Sequence, residues 1–175
     1  MTEPAKGPEI ATRVGRLLVA KGWTLSTAES CTGGLIGHYI TNVSGSSDFY
    51  LGGIVAYANR VKQTILGVSE ELLRTCGAVS PEVALAMAEG VRRELGTHIG
   101  LSVTGIAGPT GGSAGKPVGT VFIGLAGPLG AQVRHYRWSE DRVGNKRLSA
   151  EAAVALLEEY LLGVVQTQGL GEATR

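Results

Sequence analysis

Apolar positions alternate between two periods along this chain, and the switches between them mark its elements. Ile10, Val14, Leu17 and Leu18 recur at helical spacing from about Pro8 to Lys21, where Gly22 supplies a stop. Trp23 to Ser30 reads as a strand, and Thr32-Gly33-Gly34 opens a helix carrying Leu35, Ile36, Tyr39 and Ile40. The turn-rich segment Asn42 to Asp48 follows, then a strand over Leu51 to Ala58 and short helices over Lys62 to Leu66 and Glu70 to Leu73. Ser80-Pro81-Glu82 joins a hydroxyl cap, a proline at the first helical position and an acid at the positive dipole end. It predicts a helix running to Gly96. Strands are expected over His98 to Val103, Val118 to Ala126 and Ala131 to Trp138, the last two as an antiparallel hairpin across Gly127 to Gly130. A long amphipathic helix over Asn145 to Val165 closes the pattern, with residues 1–7 a loose tail and the last ten frayed. Early strand–helix alternation followed by a hairpin predicts an α/β fold with a mixed sheet and helices on both faces.

Composition narrows the function classes. At 175 residues the chain is expected to be one domain, residues 1–175, with its core over about 8–163. Sixteen basic residues nearly match fifteen acidic ones, a net charge of +1 that gives no footprint for nucleic acid. Cys31 and Cys76 make no disulfide framework, and no apolar run approaches a membrane span. The N-terminus lacks a signal-peptide core, so a cytoplasmic location is expected. His38, His98 and His135 are isolated and neither cysteine has a nearby ligand partner, so no metal and no cofactor is expected. The dinucleotide and P-loop fingerprints are missing as well.

What remains is a set of glycine loops and a few reactive side chains. Leu101 to Val121 holds a β-branched run, a Gly/Pro/Ser loop and a second run, the grammar of a sheet end where backbone amides meet anions. Thr104, Gly105 and the loop through Gly108 to Gly112 offer a hydroxyl and unencumbered amides, and Arg142 offers a bidentate clamp. Ser30 and Cys31 lie at a strand-to-helix turn, where Ser30 suits a helix cap, a ligand contact or a nucleophile equally. Ser46 and Ser47 lie just before the second strand. No His-plus-acid arrangement accompanies any of these, so a conventional triad has little support. A lysine base is the other route to an activated serine, and it needs a downward shift of ~3 units from a reference pKa of ~10.4. Lys62, after an apolar strand that holds Tyr57, is open to two readings: a buried base, or a solvated lysine on a helix face with Arg60.

The segments TAESCTGGLIG, VSGSSDFY, GGIVAYANRVKQTILGV, GAVSPEVA and TGIAGPTGGSAGKPVGTVFIGL resemble, in this order, the C-terminal domain of the competence/damage-inducible CinA family. The resemblance covers about residues 8–163. Stand-alone members are nicotinamide-nucleotide amidases, which hydrolyse the carboxamide of nicotinamide mononucleotide to nicotinic acid mononucleotide and ammonia, a step of NAD salvage. The resemblance implies a single three-layer α/β/α domain with a mixed sheet. It also implies a metal-free Ser/Lys amidohydrolase with a small-molecule nucleotide substrate and a homo-oligomer, a dimer first among the possibilities.

Carried over by position, the nucleophile falls on Ser47, the general base on Lys62 and the pair's hydrogen-bonding partner on Tyr57. Ser30, Thr32, Gly33, Gly34, Thr104, Gly105, Gly108 and Arg142 become substrate contacts. Two departures stand out. Glu140-Asp141-Arg142 replaces the family's frequent Gly-Asp-Arg, and the usual spacing to a second arginine is not kept. Arg142, Lys146 and Arg147 therefore all stay open as phosphate contacts. The alternative to an amidase is a non-catalytic nucleotide-binding module of the same fold, linked to competence or the DNA damage response.

Overall fold

The computed structural model describes residues 7–164; Gly7, expected in the loose tail 1–7, opens the first helix, while the rest of that tail and the last ten residues, expected to be frayed, lie outside the described residues. Helix α1 (Gly7–Lys21) turns Ile10, Val14 and Leu18 inward and ends at Gly22, whose φ of 64° suits glycine. Strand β1 (Leu25–Glu29) is buried along its whole length, as a central parallel strand requires. After it come α2 (Leu35–Thr41), a 3₁₀ turn (Ser46–Asp48), β2 (Tyr50–Val55), α3 (Asn59–Thr64), α4 (Glu70–Thr75) and α5 (Pro81–Leu95). Strands β3 (Ile99–Gly105), β4 (Thr120–Gly127) and β5 (Gly130–Arg137) and helix α6 (Arg142–Leu161) complete the order.

The sheet runs β2-β1-β3-β4-β5. Strands β2, β1 and β3 are parallel, while β3-β4-β5 continue antiparallel, so the expected mixed sheet is present. Helices α1, α2 and α6 cover one face over a core of Leu18, Leu101, Ile123 and Leu157. Helix α5 covers the other with Val83, Met87 and Val91, packed against Leu66 and Ala56. The layers approach closely at Gly100 and Gly124, where an added Cβ would lie 2.0 Å from Ala88 O and 2.5 Å from Ala84 O.

Boundaries differ from expectation in two informative places. Helix α6 begins at Arg142 rather than Asn145, because Asp141 caps it by accepting from Gly144 N at 2.7 Å. Helix α3 begins at Asn59 rather than Lys62, which puts Lys62 in its last turn with its side chain buried. The predicted cap of α5 is observed: Ser80 Oγ accepts from Val83 N, with Pro81 at the first helical position.

Candidate active site

All three parallel strands end on one side of the sheet, the side where α/β proteins of this kind hold ligands. Ser30 leaves β1 there, Ala56 and Tyr57 leave β2, and Ile106 to Gly108 leave β3. Main-chain bonds extend the sheet into this region: Ser30 N donates to Val103 O at 2.9 Å, and Ala56 N to Glu29 O at 2.8 Å. The backbone thus fixes Ser30 between its neighbours before any side chain is considered.

Lys62 reaches into this place from α3 and is only 1% exposed. Its Nζ lies 3.1 Å from Ser30 Oγ, 2.7 Å from Ala56 O and 3.3 Å from Tyr57 O. The partner set decides what the amine can do. A neutral amine has two hydrogens and one lone pair; two carbonyls take the hydrogens, which leaves the lone pair facing the serine hydroxyl. Burial pushes the Lys62 pKa down. Cys31, next to Ser30, is pushed up to about 12 by burial, so its thiol stays protonated and unreactive at neutral pH.

Glu29, the last residue of β1, is 2% exposed and has a structural task that sequence reasoning missed. Its carboxylate accepts from Gly34 N at 2.9 Å, Ile36 N at 3.1 Å and Gly37 N at 2.8 Å. The acid one position before Ser30 in TAESCTGG was the available signal. It engages three of the amides at the start of α2, so these three are not free to bind an anion. Gly33 and Gly34, with φ of 64° and 100°, let the turn fold over this carboxylate.

The remaining site expectations divide. Ser47 is exposed on the 3₁₀ turn ahead of β2, whereas Lys62 lies beyond the opposite end of that strand. Within this chain the hydroxyl that Lys62 meets is therefore that of Ser30, and Ser47 stands at the other end of β2. Tyr57 does partner Lys62, but through its main-chain carbonyl; its phenol accepts from Arg142 Nη2 at 3.1 Å. Arg142 Nη1 donates to Gly108 O at 2.6 Å, so this guanidinium ties the loop after β2 to the loop after β3. Thr104 Oγ1 donates to Ala78 O at 2.7 Å and steadies the segment before α5. Gly105 is still in β3, where an added Cβ would lie 2.8 Å from Thr120 O. Asn145, 1% exposed, was also missed: it accepts from Glu140 N at 3.1 Å and donates to Ala107 O at 3.0 Å, locking α6 to the β3 loop.

Fold and site together define a three-layer α/β protein with a buried serine–lysine pair at the carboxyl ends of its parallel strands. The family model described as CinA C-terminal domain matches residues 8–161, and the chain belongs to that family. A CinA-like protein of Salinibacter ruber is 57% identical over 141 residues, covering 81% of this chain and 34% of that protein. The chain thus spans about a third of that relative's length. The crystal structure of competence/damage inducible protein CihA from Agrobacterium tumefaciens superposes with a TM-score of 0.87 at 38% identity, covering 93% of this chain and 99% of that one. A CinA superfamily protein from Klebsiella pneumoniae gives a TM-score of 0.87 at 33% identity, over 91% and 99% of the two chains. Among the described residues no helix is long and apolar enough to cross a membrane.

Proposed function

We propose that this domain is a nicotinamide-nucleotide amidase, converting nicotinamide mononucleotide to nicotinic acid mononucleotide and ammonia through an acyl-enzyme. The observation that carries this reading is the contact of Lys62 Nζ with Ser30 Oγ, with both other amine partners being carbonyls. Neutral Lys62 takes the Ser30 proton as Oγ bonds to the carboxamide carbon. The N–H groups of Cys31 and Thr32, which make no main-chain hydrogen bond among the described residues, are the donors assigned to the developing oxyanion. The carbon–nitrogen bond then breaks and the lysine ammonium returns its proton to the departing ammonia. Water, activated by the same amine, hydrolyses the ester and restores Ser30.

Ammonia release from nicotinamide mononucleotide by wild type, Ser30→Ala and Lys62→Met tests this directly. Turnover by wild type and its loss in both variants is the expected result; wild type without turnover leaves the family's fold serving as a nucleotide-binding module.

A second reading keeps Ser47 as nucleophile and is favoured by one observation. Strand β2 is a sheet edge with Leu51 and Val55 half exposed and Ser47 exposed at its start. Two copies paired antiparallel along this edge would bring the Ser47 end of one beside the Lys62 end of the other. The homo-oligomer expected from the family resemblance would then share its active sites.

A further inference from the structure

A cavity of about 480 Å³ lies between the 32–34 turn, α2 and the first turns of α6. Thr32, Gly33, His38, Lys146 and Arg147 are among its walls. We propose that this cavity binds the phosphate monoester of the substrate, with Lys146 as its cation and Thr32 as its hydroxyl donor. The inference rests on the mononucleotide reading above and decides among the three cations that the sequence left open.

Two of those cations are already engaged. Arg142 spends its guanidinium on Gly108 O and Tyr57 Oη, and Arg147 is held by Glu151 at 2.9 Å. Lys146 has no ion pair or hydrogen bond among the described residues. It also stands over the turn: a Cβ placed on Gly33 would lie 3.6 Å from Lys146 Nζ.

The second observation is independent of charge. Of the buried side-chain polar atoms among the described residues, only Thr32 Oγ1 lacks a hydrogen-bond partner. Thr32 is 1% exposed, and an unpaired buried hydroxyl is costly unless a ligand completes it. A phosphate oxygen seated between Lys146 and the 32–33 segment supplies that acceptor. Thr32 follows Ser30 by two residues, so the wall of the cavity begins two positions from the reacting serine and suits the distal end of one substrate molecule.

Steady-state kinetics on nicotinamide mononucleotide and on the riboside lacking its phosphate test the assignment, using wild type, Lys146→Met, Thr32→Val and Arg142→Met. Lys146→Met is expected to raise KM for the mononucleotide about 10–100-fold with kcat little changed, and to leave the riboside unaffected. Thr32→Val removes an unpaired hydroxyl, so it should raise KM without lowering Tm; a purely structural threonine would leave KM alone. In parallel, inorganic phosphate should raise Tm of wild type and not of Lys146→Met. If wild type releases no ammonia but phosphate stabilises it through Lys146, the subsite stands and the amidase reading falls. If ammonia is released and only Arg142→Met raises KM, the subsite is overturned and the amidase reading stands.

Discussion

Lys62 Nζ lies 3.1 Å from Ser30 Oγ although the two residues are 32 positions apart. Parallel pairing of β1 with β2 makes this meeting possible, since both strands deliver their following residues to the same end of the sheet. Neither residue carries its role alone. The serine is held by Val103 O, and the amine is aimed by two carbonyls of the segment just after β2.

Ser30→Ala and Lys62→Met are each expected to lower kcat on nicotinamide mononucleotide by about three orders of magnitude or more. The double variant should be little worse than either single one, because proton transfer and attack belong to one step. Additive losses in single-turnover rates would show that the two act separately.

Burial holds the Lys62 pKa below its ordinary value, and the sign of the consequences follows. The proposed mechanism needs the neutral amine, so kcat/KM should rise with pH through a midpoint below ~10.4 and then level off. For stability, the unfolded chain binds the Lys62 proton more tightly than the folded one. Stability therefore rises with pH between the folded pKa and ~10.4 on account of this group. The Tm difference between wild type and Lys62→Met should accordingly move in favour of wild type as pH increases through that window. Calorimetry showing a pH-independent difference would mean that the amine titrates normally.

Glu29→Gln keeps the side chain's shape but turns one acceptor oxygen into an NH₂ group facing backbone N–H donors. A loss of about 1–3 kcal/mol is expected in urea unfolding, together with a fall in kcat as the 30–34 turn loosens. An unchanged midpoint would show that the three bonds to Gly34, Ile36 and Gly37 contribute nothing net.

Tyr57→Phe should leave kcat within a few-fold of wild type, since Lys62 is held by the Tyr57 main-chain carbonyl, which the substitution leaves in place. What it removes is the acceptor for Arg142. A loss as deep as that of Lys62→Met would put the phenol itself in the proton path.

Much of the fold could be read in the residues themselves. Ser80-Pro81 announced α5, and the β-branched runs announced the sheet, because caps and periodicity are local. The site was legible in part. Lys62 was a candidate because it follows an apolar strand, but its burial depends on α3 starting at Asn59, which no local signal gave. Ser30 and Ser47 could not be ranked from spacing: their distances to Lys62 depend on which end of β2 each occupies, a property of strand pairing. The work of Glu29 and Asn145 was hidden for a related reason. Their partners are backbone groups in the turn after β1 and the loop after β3, and these positions exist only once the sheet is assembled.

The in-chain pair predicts that Ser47→Ala keeps turnover within about tenfold of wild type. Should Ser47→Ala instead prove inactive, mixing it with Lys62→Met separates the alternatives. Recovery of activity in the mixture would assign the nucleophile to a second copy, whereas Ser30→Ala mixed with Lys62→Met should recover nothing, because both losses fall in the same site.

The most direct test of the Ser30–Lys62 assignment is ammonia release from nicotinamide mononucleotide by wild type and Ser30→Ala at equal folded concentration. Wild-type turnover with a Ser30→Ala rate lower by about three orders of magnitude is the predicted result. A Ser30→Ala rate close to that of wild type would contradict it.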